Sequence, residues 1–311
     1  MTTLISIWGK GGTGKSTCAS ALAYAFAQHG KRTLLITTDL IPTVSKIFGV
    51  EGEGEIQLSN VPFLTIYELS PDDVVEKWKK RFGEEVYEVV SSIIPVGKEV
   101  LDYIAGAPGL ADEFMLYVIY EKWKENRYDF IIWDLPAAGD ALRLLWLEKQ
   151  FYTHLGDAAK MYLRLKGYLS KLKRKKGPTP IQLIEEWREL ANNILSMLAC
   201  EMHKAMIVTT PENLSIEVAK RIIRDLRFFQ VDIYAIIVNM ILPNQTGLRE
   251  LFSERLRMQA RNIDVIKDIA RRENLICVEI PLLNLNLADY RNLNEVCKSL
   301  SIIMRGFLER C

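Results

Sequence analysis

Gly9-Lys10-Gly11-Gly12-Thr13-Gly14-Lys15-Ser16 follows the apolar run Leu4-Ile5-Ser6-Ile7-Trp8 and opens a helical stretch over residues 15–29 that Gly30 closes. The spacing fits a phosphate-binding loop, and its place after a strand and at a helix start is the one that chemistry requires. Glycines let backbone N–H groups curl round phosphate oxygens, and the helix N-terminus adds partial positive charge. Lys15 is placed to reach the terminal phosphates and the Ser16 hydroxyl to ligate Mg²⁺. The nucleotide-binding set read from this stretch is Gly11, Gly12, Thr13, Gly14, Lys15, Ser16 and Thr17. Lys10 is a second lysine at a position where an ordinary loop accepts any residue; the alternative is a surface lysine beside the loop.

Outward from the loop, short β-branched and aromatic runs recur at residues 33–38, 63–69, 130–133, 205–209, 233–238 and 276–280. They read as strands. Amphipathic stretches such as 214–229 and 248–273 separate them, and the alternation predicts an α/β fold with a mainly parallel, doubly wound sheet. Continuous apolarity at 130–133 and 235–238 predicts strands covered on both faces. Two segments break the alternation, at about 71–125 and 147–202, and are read as helical insertions into a single domain spanning 1–311. In the second, Phe151, Leu155, Ala158, Tyr162, Leu165, Leu169 and Leu172 recur at helical spacing, as do Ile181, Ile184, Trp187, Ala191, Ile194 and Leu198. This predicts a helical hairpin.

Two acidic residues close predicted strands. Asp39 ends the run 33–38, where an α/β fold presents its ligand-facing loops, and is placed to orient water; a turn or cap residue is the alternative. Asp134 ends the run 130–133 and opens Asp134-Leu135-Pro136-Ala137-Ala138-Gly139-Asp140. That is the position of a carboxylate serving Mg²⁺ through water, with Gly139 and Asp140 in a loop that senses the γ-phosphate.

Composition bounds the partners. Across 311 residues, 40 Lys and Arg against 39 Asp and Glu leave a formal charge of +1, so no global field draws the chain to nucleic acid. Five scattered cysteines suit a reducing compartment. Nothing at the N-terminus reads as a secretion signal, and the longest uncharged apolar run, 233–243, is about half of the roughly 20 residues a membrane span needs. A cytoplasmic protein is expected. With no Cys-x-x-Cys and only three histidines, no structural zinc is expected. The basic run 171–176 reads as a solvated loop or as a docking point for an acidic partner or lipid surface.

Taken together, Lys10 to Ser16, Thr37-Thr38-Asp39, Asp134 to Gly139 with Leu142-Arg143-Leu144-Leu145, Val238-Asn239 and Ile280-Pro281-Leu282-Leu283 resemble the arsenical-pump and tail-anchored-protein targeting ATPases. The likeness runs over nearly the whole chain and includes Pro108-Gly109 with Asp112-Glu113. It implies ATP and Mg²⁺ as ligands and a homodimer in which Lys10 reaches the partner's nucleotide. It further implies Asp39 and Lys15 as catalytic with Lys10, Asn239 on the adenine, and Pro281, Leu282 and Leu283 beginning the loop that packs on adenosine. By the same resemblance the helices of 147–202 would hold a hydrophobic membrane-protein client, for delivery to a membrane receptor. Leu40-Ile41-Pro42 and Asp140 depart from the family's two switch loops, and the second switch also resembles that of the Mrp-type iron–sulfur carriers. Two other functions stay open: the energy-coupling subunit of an arsenite or anion pump, and a positioning ATPase of the ParA and MinD kind, which the apolar C-terminus (301–311) would serve as a membrane-binding helix.

Overall fold

The computed structural model describes residues 1–39, 44–52, 54–107, 109–166, 178–243, 246–283 and 289–309, with the side chains of 112, 163–166 and 246–251 left aside. The Leu40-Ile41-Pro42 departure, Leu165, Leu169, Leu172 and the basic run 171–176 fall outside this description. In chain order the elements are β1 (Thr3–Gly9), α1 (Lys15–Gln28), β2 (Thr33–Thr37), α2 (Val44–Phe48), β3 (Gly54–Gln57) and β4 (Leu64–Glu68). There follow α3 (Pro71–Ser91), α4 (Val100–Ala105), α5 (Leu110–Lys124), β5 (Phe130–Asp134), α6 (Ala138–Lys166) and α7 (Pro180–Ala199). The chain then forms β6 (His203–Thr209), α8 (Asn213–Phe228), β7 (Asp232–Ile241), α9 (Thr246–Glu273), β8 (Ile276–Pro281) and α10 (Leu293–Leu308).

The chain divides into two compact units. The first holds residues 1–69, 122–142 and 199–311 and contains one eight-stranded sheet in the order β3-β4-β2-β5-β1-β6-β7-β8. Every pairing is parallel except that of β3 with β4. This is the α/β fold the sequence predicts. β1, β2 and β5 are buried along their whole length, as strands covered on both faces must be. Alternate residues of β1, Ile5 and Ile7, enter a core with α1, whose alanines allow close approach to the sheet, and Phe26 of α1 stacks on Phe130 at 4.0 Å between centroids.

Three features of this unit differ from the sequence reading. β3 is absent from it because Gly54–Gln57 is short and only half-buried on alternate residues. The loop read over 134–140 is already helical from Ala138. The apolar C-terminus is not a free membrane-binding face: α10 packs on α1 and β8 and buries Leu300, Ile303, Met304 and Phe307. That withdraws the feature on which a positioning ATPase rested.

The second unit holds residues 70–121 and 143–198. Ser70 caps α3 in a reciprocal box with Asp73, and Pro71 supplies a pre-set first turn. Leu155 and Tyr162 of α6 pack with Leu183 and Ile184 of α7 and Val89 of α3. Part of the predicted apolar stripe is therefore core between the helices. Among the described residues no helix is long and apolar enough to cross a membrane.

Candidate nucleotide site

The strand order puts three chemistry-bearing strand ends side by side. β5 lies between β2 and β1, and Asp134 is in register with Thr37 on one side and Ile7 on the other. The loop after β1 carries the phosphate-binding motif, and the segment after β2 carries Asp39.

Glycine is required in this loop for space as much as for torsion. A Cβ on Gly9 would lie 2.2 Å from the Val208 carbonyl oxygen, and one on Gly14 would lie 2.3 Å from Asn239 Nδ2. Gly12 and Gly14 also hold φ of +80° and +90°, which L side chains rarely adopt. The loop closes on itself: Thr13 Oγ1 donates to the Lys10 carbonyl at 2.8 Å, and Lys15 Nζ donates to the same oxygen at 3.3 Å. The N-terminus of α1 has no side-chain cap and no acidic residue in its first turn, so its leading N–H groups remain for an anion. Ser16 and Thr17 stand half-buried on that turn, and Gly11 and Gly12 are exposed.

Asp134 is fully buried, and neither carboxylate oxygen has a hydrogen-bond partner. Burial raises its pKa to about 7; the carboxylates of Asp39 and Glu68 push in the same direction, while the Ser16 hydroxyl and the Lys15 ammonium pull against it. Lys15 in turn has its pKa lowered by burial, opposed by Asp134 and Asp39. A buried orphan carboxylate beside a hydroxyl is an arrangement that a divalent cation completes, and Ser16 with Asp134 fit Mg²⁺. Asp39 is half-buried, and its N–H donates to Thr37 Oγ1 at 3.1 Å. Its charge is felt by both Lys15 and Asp134, so the structure brings these three together. Lys10 is half-buried.

The remaining predicted residues are placed less uniformly. Gly139 and Asp140 are exposed on the first turn of α6, and it is Ala137 whose side chain approaches Gly11. Asn239, at the end of β7, turns its amide nitrogen to the Thr13 carbonyl at 2.9 Å. Leu282 donates its N–H to the Ile241 carbonyl at 2.7 Å, which holds Pro281, Leu282 and Leu283 beside the end of β7. Leu282 is about half exposed there, with relative accessibility 48%.

Sequence reasoning missed two residues that hold the loop around Asp39. Trp133 Nε1 donates to Thr38 Oγ1 at 3.0 Å, and the Thr38 N–H donates to the Asp134 carbonyl at 3.1 Å. Glu68, at the end of β4, accepts from the backbone N–H groups of Val44 and Ser45 and so caps the N-terminus of α2. An acid at the end of an otherwise apolar strand was the available signal for Glu68; for Trp133 there was none, since an indole in a buried strand reads as core.

The sequence pattern of the anion-transporting ATPases matches residues 2–301. The chain is 26% identical over 307 residues to a protein of Aquifex aeolicus assigned as arsenical pump-driving ATPase 2, covering 94% of this chain and 97% of that one. It is 26% identical to the ATPase GET3 of Komagataella phaffii, over 95% of this chain and 89% of that protein. With the ATPase GET3C of Arabidopsis thaliana it shares 24% identity over 89% of its length and 76% of the relative's. A phosphate loop with an uncapped helix behind it, an orphan carboxylate beside Ser16 and a match from end to end lead to one conclusion: the chain belongs to the anion-transporting ATPase family and hydrolyses ATP.

Proposed function

We propose that this ATPase is a nucleotide switch which forms a homodimer over ATP and carries an apolar membrane-protein segment in its helical unit. The observation that carries this reading is a cavity of about 410 Å³ in the second unit, lined by α3, α4, α5, α6 and α7 with side chains such as Trp78, Phe82, Phe151, Leu190 and Ile194. Its size is that of a ligand pocket, and its lining is mostly apolar. α6, with 29 residues, runs for about 43 Å at 1.5 Å per residue, which exceeds the roughly 30 Å of hydrocarbon a client helix spans.

In this reading the helical segments 71–125 and 147–202 are the client-binding insert of one ATPase domain, and the protein works in the cytoplasm with a membrane receptor. The loop N–H groups and Lys15 hold the phosphates. Ser16, and Asp134 through water, would hold Mg²⁺, which would supply neutralisation of phosphate charge. Asp39 orients the attacking water, and Lys10 presents its ammonium to the partner's nucleotide. Asn239 offers Oδ1 to the adenine amino group while Nδ2 stays on the loop, and Pro281, Leu282 and Leu283 flank the adenosine. Loss of the γ-phosphate is felt first at Asp134, and α6 begins four residues later at Ala138 and contributes Leu147, Phe151 and Leu155 to the cavity wall.

The test is co-elution of the ATP-bound protein with an apolar helical peptide. The reading expects a stable complex that Leu190→Asp or Ile194→Asp abolishes; peptide binding unaffected by either charge would refute the cavity as its seat.

A further inference from the structure

The wall of the apolar cavity contains two carboxyl groups. Glu113 of α5 and Glu148 of α6 both line it, and they hydrogen-bond to one another. Glu148 is only 1% exposed, and its Oε1 meets no donor. An isolated carboxyl at such a place costs free energy unless something compensates it, and each specific unsatisfied group asks for an explanation. Among the described residues, the other ionisable side chains on the wall are Tyr117 of α5 and His154 of α6; α3, α4 and α7 contribute none, and no described Lys or Arg lines the cavity. Burial and the neighbouring Glu113 raise Glu148 to about 10, so at neutral pH the pair holds a proton between its carboxyl groups.

We propose that Glu113 and Glu148 form a cation-recognition point inside the apolar cavity, selecting occupants that carry one basic group amid apolar surface. This rests on the reading that the cavity admits an apolar segment. A guanidinium or ammonium arriving there finds an unpartnered oxygen at a buried site, where charge-assisted hydrogen bonds are strongest. Its charge replaces that of the shared proton, which leaves to solvent as Glu148 ionises. Binding therefore releases a proton and strengthens as pH rises toward 9, because the competing proton becomes scarcer.

The experiment compares two apolar Leu/Ala helical peptides that differ at one central position, arginine in one and the uncharged isostere citrulline in the other. Calorimetry with the full-length protein at pH 7 and pH 9, in buffers of different ionisation heat, reads affinity and proton release. The proposal expects the arginine peptide to bind at least about tenfold tighter, equivalent to about 1.4 kcal/mol, with proton release of the order of one. The double variant Glu113→Gln/Glu148→Gln should bind both peptides alike, and its retained affinity for the citrulline peptide verifies its fold. Should the double variant not fold, Glu148→Gln alone is expected to lose the proton release. Equal affinity for the two peptides in the unaltered protein would overturn the proposal and leave the apolar cavity standing. A preference that survives in the double variant would overturn it as well, by locating the cation elsewhere. Binding of neither peptide would overturn it together with the cavity reading on which it rests.

Discussion

Asn239 Nδ2 donates a 2.9 Å hydrogen bond to the carbonyl oxygen of Thr13, tying the end of β7 to the phosphate loop. The same nitrogen would sit 2.3 Å from a Cβ on Gly14, so the two residues fix each other. Gly14→Ala combines that collision with a φ of +90° and is expected to abolish nucleotide binding. Asn239→Ala leaves a buried carbonyl without its donor, a loss of about 1–3 kcal/mol. Calorimetric titration with ATP·Mg²⁺ checks both: no measurable binding for the first, and about 10-fold or more weakening for the second.

Asp134 gives a pH signature. Its folded-state pKa lies near 7, above the ordinary 3.8, so between about pH 4 and 7 the folded state holds a proton that the unfolded state has released. Its contribution to stability therefore falls as pH rises through that window, and Mg²⁺ affinity grows over the upper part of it as the carboxylate ionises. In Asp134→Asn the nucleotide-free protein should be at least as stable at pH 8 as the unaltered one, while Mg²⁺-dependent hydrolysis falls by about 10²-fold or more. Thermal unfolding at pH 5 and pH 8, for both proteins, isolates this carboxyl from the Glu148 titration that they share.

Trp133 tests the hold on the catalytic loop. Trp133→Phe keeps the buried ring but removes the donor to Thr38 Oγ1, beside Asp39. We expect kcat to drop several-fold with little change in KM, since a looser loop would misplace Asp39, the group proposed to orient water, without touching the phosphates. A change confined to KM would contradict this role.

Lys10→Ala tests the contribution proposed in trans. Lys10→Ala should weaken ATP-dependent association and lower turnover by about 10³-fold or more, the range for a cation supplied by a partner. Sedimentation velocity with and without ATP·Mg²⁺ provides the check, and unchanged association would remove the trans role.

Much of this was written plainly in the sequence. β1, β2 and β5 are runs of buried apolar residues, and the glycine-lysine loop has one physical reading after a strand and before a helix. What stayed hidden depended on tertiary placement. Glu55 and Gln57 of β3 look like loop residues because an edge strand keeps polar side chains outward. Asp140 looked like part of a switch loop, yet it sits in the first turn of α6, where an acid suits the helix N-terminus. Glu148 carries no local signal in the sequence; only packing of five helices reveals it as buried with an unpartnered oxygen. The family resemblance singled out Asn239, but its bond to Thr13 spans 226 positions that no local pattern encodes.

In the proposed switch, ATP drives assembly and hydrolysis depends on Asp39. Light scattering coupled to size exclusion of Asp39→Asn, with turnover removed, tests it most directly. ATP·Mg²⁺ is expected to double the mass from that of the 35.6 kDa chain, ADP is not, and the variant is expected to keep ATP binding. A monomer at saturating ATP·Mg²⁺, or full ATPase activity in the variant, would contradict it.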